Sequence, residues 1–462
     1  MRALPVKTSA WFWLTLVVLL SYANSLSGDF QFDDYNVIVN QPQVHNWSTW
    51  FASLGHGIRP LLKLSYTFNW TLSNDPFGFH LVNLFIHLAN TYLVYRLSQL
   101  FVERIFFVGR VSAQFVGLKP DLHSDRLSWL IPLFTALLFA THPIHTEAIS
   151  YISGRSTSLM TLFYLAALFS YAIGRTHHHK IYLFFATPLF FLLALATKET
   201  AITLPLALLL WELTCGGNLK NGLKQQWPSW LLFLLSIIFF VANNHYFEEM
   251  QRSAALNSLE GNLATQLIAF AYLIKQWLLP LWLNIDPDLA LQHDLTGNLP
   301  ALIFFGALCT LMLRSWRARP WLSFAIAWAI LHLFPLYLLL PRLDVANERQ
   351  MYLAGWPLLL ALSIELNFWL NARSFRITVI TLLLILISLT VLRNQTYRTE
   401  VSLWEDTIKM SPHKARVHNN LGYAYMLAER PAEARREFEI SLELEPDNYK
   451  ARYNLLRLDN AP

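Results

Sequence analysis

Cysteine is almost missing from this chain, and charge is scarce. Only Cys215 and Cys309 occur in 462 residues. They stand apart without metal-ligand spacing, which leaves no disulfide framework or thiolate metal centre and makes both packing residues. Charged residues make up 14% of the chain, against about 25% in a soluble globular protein. With 55% of the residues hydrophobic and 15% aromatic, this composition is that of a membrane protein. The phosphate-binding pattern GxxxxGK[ST] is absent, and no Asp-x-Asp loop stands in a soluble domain. Neither a nucleotide nor a nucleic acid is expected as a ligand.

Apolar sequence fills the chain instead, in blocks of membrane-crossing length. A helix needs about 20 apolar residues to cross a bilayer. Such blocks lie near 10–26, 80–102, 127–142, 157–173, 181–196, 200–214, 229–244, 299–314, 320–340, 350–370 and 376–392, about eleven in all. The basic residues 1–7 precede the first block as in a signal peptide. No small-x-small cleavage site follows, so the block reads as an uncleaved anchor. With the N-terminus inside, the cytoplasmic loops hold Arg104, Arg110, Lys119, Arg126, Arg175, Lys180, Lys220 and Lys224, then Arg314, Arg317, Arg319, Arg373 and Arg376. The opposite loops hold Asp33, Asp34, Glu147, Glu199, Glu248, Glu249 and Glu348. This asymmetry follows the positive-inside rule. Residues 263–285 are also apolar enough to cross, but crossing would move Arg314 to the outside. They are expected to lie in the interface, with Lys275 at headgroup level. His177, His178 and His179 read as a polar cytoplasmic loop.

Past Arg393 the chain turns hydrophilic. Residues 415–448 fit a tetratricopeptide repeat of 34 residues, with Leu421, Gly422 and Tyr425 on its first helix and Ala434, Phe438 and Ser441 on its second. Trp404 and Pro412 fit a preceding half-repeat, and residues 449–458 begin another. One full repeat is short for an independent solenoid, so the segment should lean on the membrane domain or on a partner. The chain therefore divides into a membrane domain, 1–393, whose first outer loop is 27–80, and an outer repeat segment, 394–462.

The polar residues gather on that outer face. Asp33 and Asp34 are adjacent acids just after the first span, where mutual repulsion and desolvation are costly. The pair suits a base that meets one substrate from outside and another from the lipid. Its bland counterpart is a solvated turn. Further clusters are Arg59 with Lys63; His142, His145 and Glu147 with Arg155; Lys198 with Glu199; and Glu348 with Arg349. Neighbouring acids and bases can neutralise one another at helix ends. As a functional set they suit a phosphate, which a guanidinium grips with two hydrogen bonds and a lysine attracts as a point charge. His142 and His145 lack a clear third ligand, so no metal is assigned.

In this order the patches resemble a family. Phe32-Asp33-Asp34 with Val37-Ile38-Val39-Asn40, Arg59-Pro60-Leu61, His142 to Glu147 with Arg155, Lys198-Glu199, and Glu348-Arg349 with Tyr352, followed by a repeat, resemble the membrane O-mannosyltransferases that carry tetratricopeptide repeats. These lie within the GT-C superfamily of lipid-dependent glycosyltransferases. The resemblance implies an all-α, GT-C-type membrane fold and a polyprenyl-phosphate-linked sugar as donor. The sugar, a hexose such as mannose, would pass to a hydroxyl acceptor outside the cytoplasm, a protein Ser/Thr or an envelope glycan. Asp33 or Asp34 would be the base, with Asp33 favoured by analogy with superfamily members whose first acid takes that role. Arg155, Lys198 and Arg349 would hold the leaving phosphate, with Arg59 behind them. His142, His145, Glu147, Glu199 and Glu348 would shape the pocket. No cofactor beyond the lipid-linked donor is implied. The partners would be membrane lipid, the acceptor and any protein taken by the repeat. The compact size points to a bacterial cytoplasmic membrane. The rival reading is a non-catalytic scaffold that displays the repeat for envelope assembly. A transporter would show inverted halves, which are not apparent.

Overall fold

The computed structural model describes residues 8–54, 58–108, 129–216, 219–243, 248, 251–252, 255, 257–339 and 344–460. Residues 1–7, Arg110, Lys119, Arg126 and Glu249, all used above for sidedness, lie outside the described residues. Among the described residues every regular element is helical. Helix α1 (Thr8–Tyr22) leads into an outer loop with the short α2 (Trp47–Ser53) and α3 (Pro60–Leu72). The bundle continues through α4 (Pro76–Val102), α5 (Ile131–Thr141), α6 (Arg155–His177), α7 (Thr187–Thr197) and α8 (Leu204–Cys215). Next come α9 (Leu219–Gln225), α10 (Trp227–Ala242), α11 (Leu259–Leu278), α12 (Leu299–Ser315) and α13 (Pro320–Leu333). Helices α14 (Met351–Trp369) and α15 (Ala372–Thr396) close the bundle. The C-terminal segment is built from α16 (Glu400–Met410), α17 (Ala415–Leu427), α18 (Pro431–Leu444) and α19 (Tyr449–Asp459).

Each apolar block holds a helix, but not all are long. Among the described residues five stretches are long and apolar enough to cross a membrane: Ala10–Ser27, Pro76–Phe106, Ile152–His177, Glu348–Trp369 and Ala372–Thr396. A sixth results if α9 and α10, bent by 57°, form one broken span. Blocks expected to cross near 127–142, 181–196, 299–314 and 320–340 instead form shorter apolar helices. Proline is one reason. It occupies the first turn of α12 and α13, where its missing N–H and fixed φ suit a helix start and oppose extension backwards, whereas α7 continues back past Pro188 through a π-helical turn to Tyr182. Helix α11, within the segment expected at the interface, is not among the five. It buries Leu267, Phe270, Leu273 and Trp277 in the bundle and leaves Lys275 exposed.

The core is one continuous apolar cluster that includes residues of α1, α4, α5, α6, α13 and α14. Through it runs a polar stripe. His80, Asn83, His87 and Asn90 occupy one face of α4 and are buried. The His87 Nε2–H donates to the Ala140 carbonyl at 3.2 Å, and its Nδ1 accepts from the Tyr352 hydroxyl at 2.7 Å. Buried polar groups in a membrane domain must be paired in this way. By contrast, only 11% of the apolar window of α15 is buried. In α10, Leu234, Ile238 and Val241 are exposed. Such apolar, outward surfaces suit a lipid environment.

The C-terminal helices pack as the repeat pattern requires. A Cβ on Gly422 would stand 2.7 Å from the Phe438 ring, so only glycine lets α17 and α18 approach this closely. Ala434, Phe438, Val417, Leu421 and Trp404 form the core of the segment, and Phe32 and Ile285 of the membrane domain pack against it.

Candidate active site

Asp33 and Asp34 begin on a strained corner. Phe32 has a φ of 45°, a conformation costly for a bulky residue, and its ring packs edge-on against Trp404 at 5.1 Å. The corner sends the two acids different ways. Asp34 is fully buried; its Oδ2 accepts from the Gln31 N–H at 3.0 Å, and its Oδ1 accepts from the Ser153 N–H at 2.8 Å and from the Ser153 hydroxyl. Burial pushes its carboxyl up to about 7 in spite of these donors. Asp33 is only half-buried and lines a small cleft. Its N–H donates to the Tyr151 hydroxyl at 2.9 Å. Burial raises its carboxyl above the ordinary range, while Arg349 and Tyr151 pull it back.

The rest of this first cleft comes from four more places in the chain. Glu147, Tyr151, Asp286, Asp344, Asn347 and Arg349 share it with Trp404 and Arg416 of the C-terminal segment. Glu147 is buried beside Arg349; it accepts from the Arg349 N–H at 2.9 Å and lies 3.4 Å from its Nε. Burial raises Glu147, and Arg349 opposes that shift. Glu348 is buried and turns the other way, 3.5 Å from Arg393 Nη2. Arg393 Nη1 donates to Asp406 of α16 at 2.7 Å.

A second small cleft also includes Arg349 and is lined by Thr157, Met160, Lys198, Thr203, His332 and Tyr337. Lys198 is buried at the end of α7 and donates to Thr157 Oγ1 at 2.8 Å. Arg349 is common to both clefts.

Several expected phosphate ligands lie elsewhere. Arg155 is fully buried among neutral acceptors: its guanidinium donates to Asn83 Oδ1 at 2.6 Å, Asn69 Oδ1 at 2.7 Å and the Phe79 carbonyl at 2.8 Å. It lines neither cleft, because Ser65 and Asn69 of α3 and Phe79 and Asn83 of α4 absorb its donors. Arg59 and Glu199 grip each other through two hydrogen bonds, 2.7 and 3.0 Å long, and line neither cleft. His142 Nε2–H donates to the Trp277 carbonyl at 3.0 Å and His145 Nδ1–H to the Phe139 carbonyl at 2.9 Å. Burial lowers both rings, His142 to about 4, so they act as neutral struts between the loop, α5 and α11. Residues 341–343, beside Asp344 in the sequence, lie outside the described residues.

Sequence reasoning passed over Tyr151, Asp286, Asp344, Asn347 and Arg416 as site residues. It also missed the α4 stripe, whose signal was available. His80, Asn83, His87 and Asn90 recur at helical spacing inside an otherwise apolar block, and buried polar groups at membrane depth are costly. Asp286 and Arg416 gave no such signal, since only folding brings residues 130 apart into one ion pair.

The fold and site together define a polytopic helical membrane protein whose polar end is capped by a tetratricopeptide segment. The family model described as "Tetratricopeptide repeat" matches residues 415–448. The chain is 26% identical over 440 residues to a protein O-mannosyl-transferase of Caenorhabditis elegans, a match covering 87% of this chain and 58% of the nematode protein. It is 26% identical over 471 residues to the protein O-mannosyl-transferase Tmtc3 of Drosophila melanogaster, covering 87% of this chain and 50% of the fly protein. A 180-residue stretch, 35% of this chain and 23% of its relative, is 34% identical to the mouse protein O-mannosyl-transferase TMTC4. The chain thus spans about half the length of the nematode and fly relatives. These homologues agree with the resemblance read from the sequence motifs. No solved structure matches the chain.

Proposed function

We propose that this protein is a glycosyltransferase that moves a hexose, mannose by analogy with its relatives, from a polyprenyl-phosphate carrier to a hydroxyl of a protein acceptor. One observation carries the reading: Arg349 stands between a cleft that holds a carboxylate and a cleft that holds a buried lysine. Transfer by displacement needs a base beside the acceptor oxygen and cations beside the phosphate that leaves. Asp33 is the base, placed where an acceptor enters from the polar end. Lys198 and Arg349 hold the donor phosphate, and the second cleft receives it from the bilayer side. Asp34 fixes the loop through Ser153 and Gln31. The hydroxyl proton passes to Asp33 as the acceptor oxygen attacks the anomeric carbon, and the sugar–phosphate bond breaks with its electrons on the phosphate. The polar end faces away from the cytoplasm, and the protein resides in a bacterial cytoplasmic membrane with its N-terminus inside.

The test uses purified protein, a radiolabelled polyprenyl-phosphate mannose and a Ser/Thr-rich peptide or envelope extract. Transfer by the wild type that is lost in Asp33→Asn supports the reading. Lack of transfer from any lipid-linked hexose, with Asp33→Asn silent in cells, would favour the scaffold.

A further inference from the structure

The first cleft is closed by residues that the membrane domain does not own. Trp404 on α16 and Arg416 on α17 line it beside Asp33. Their placement rests on several independent attachments. The Asp29 N–H donates to the Arg398 carbonyl at 3.0 Å, and Gln31 Nε2 donates to the Tyr397 carbonyl at 2.5 Å. Asp286, in the loop after α11, receives Lys414 Nζ at 2.6 Å and Arg416 Nε at 2.9 Å. Asn284 donates to Ser411 Oγ at 2.8 Å, which donates to the Asp286 carbonyl at 2.9 Å. Arg416 Nη1 also pairs with Asp344 at 2.5 Å. A repeat serving only to recruit a distant partner would need none of this docking around one carboxylate.

We propose that the C-terminal segment is a working part of the reaction cleft: Trp404 positions the Asp33 loop through Phe32, and Arg416 with Asp344 sets the charge of the acceptor wall. This rests on the reading of the first cleft as the transfer site. Trp404 is a positioning residue, because it meets Phe32 and not the reacting atoms. Its packing holds a main-chain conformation that Phe32 would not adopt freely. The groups that face Asp33 are Tyr151 and Glu147 from the loop after α5, Arg349 and Asp344 from the approach to α14, Asp286 after α11, Arg416 from α17, and its neighbour Asp34.

Arg416 favours the charged form of Asp33 and Asp344 disfavours it. Two substitutions should therefore move its protonation in opposite directions. The full-length protein in detergent is labelled with a hydrophobic carbodiimide, which reacts with protonated carboxyls, and the adduct on Asp33 is quantified by peptide mass spectrometry across pH. At a pH on the falling part of the curve, Arg416→Gln should raise labelling about three- to tenfold, as expected for loss of one nearby charge. Asp344→Asn should lower it, and Arg416→Lys should return it towards the wild type. Superimposable curves in all three would overturn the assignment of Arg416 and Asp344 to the cleft. For Trp404, the peptide KM should rise and kcat fall in Trp404→Ala, with the donor KM unchanged and Trp404→Phe restoring both. Equal loss in the Ala and Phe variants would overturn the positioning role. The labelling curves need no turnover. Opposite shifts without any transfer from a mannosyl lipid would thus keep Arg416 and Asp344 in the wall around Asp33 while refuting the proposed reaction and, with it, the segment's part in that reaction.

Discussion

At the scale of single residues, two adjacent carboxylates have been given different work by their surroundings. Asp34 accepts three hydrogen bonds and never meets the cleft, whereas Asp33 lines it. Asp33→Asn should lower transfer by about 10²–10⁴-fold, the usual contribution of a positioned base, with thermal stability little changed. Asp34→Asn should show the reverse pattern in part, and its signature is pH dependence. Because the folded state holds the Asp34 proton up to about pH 7 while the unfolded chain releases it near the ordinary carboxylate value, stability contributed by this group is present at low pH and is lost as pH rises through about 7. Thermal unfolding in detergent between pH 4 and 7 should therefore slope less steeply in Asp34→Asn than in the wild type. Arg155 makes the complementary point. Arg155→Lys keeps the charge but cannot reach Asn83, Asn69 and the Phe79 carbonyl together. Each acceptor left alone in the core costs about 1–3 kcal/mol. Loss of folded protein on size-exclusion chromatography, and not a change in donor KM, is the expected result.

At the scale of elements, small residues and prolines set what can pack. Gly422→Val would drive a side chain into the Phe438 ring and towards the Ala434 carbonyl. Overpacking of that kind costs about 1–3 kcal/mol and should expose α17 and α18 to limited proteolysis while leaving the membrane helices protected. The repeat was legible because its period and its close-contact residues are local in sequence. The existence of the apolar bundle helices was legible too, from apolar length, whereas the polar α9 gave no such signal. The lengths were not, since a proline in the first turn opposes backward extension of α12 and α13, which stop short of a full crossing. In the candidate site, the order of polar clusters pointed to the end of the bundle where the two clefts lie but not to each side chain's partner. Arg59 and Glu199, and Glu147 and Arg349, are pairs distant in sequence, and no spacing rule foretells which acid an arginine will choose.

At the scale of the whole molecule, charge is sorted along the bundle. Helix α6 starts at Arg155 near the site and ends beyond Arg175, which pairs with Glu212 at 2.6 Å. Helix α14 likewise runs from the site to Glu365, the partner of Arg319 at 2.7 Å. Along α6 about twenty residues of helix separate the two polar layers by about 30 Å, the thickness of a bilayer's hydrocarbon core. The two clefts that meet at Arg349 also divide the expected kinetics. Lys198→Ala should raise the donor KM about tenfold, as fits loss of one charge-assisted contact to phosphate, with the acceptor KM unchanged in initial-rate assays. A last consequence concerns time. The loop that carries Asp33 is hydrogen-bonded to residues more than 360 positions later in the chain, so a ribosome delivers the acid early and its supports last. Throughout synthesis the growing chain holds a carboxylate whose loop has nothing yet to hold its shape. Closing so long a loop is slow, and the protein stays inert until its C-terminal helices have folded back over its beginning.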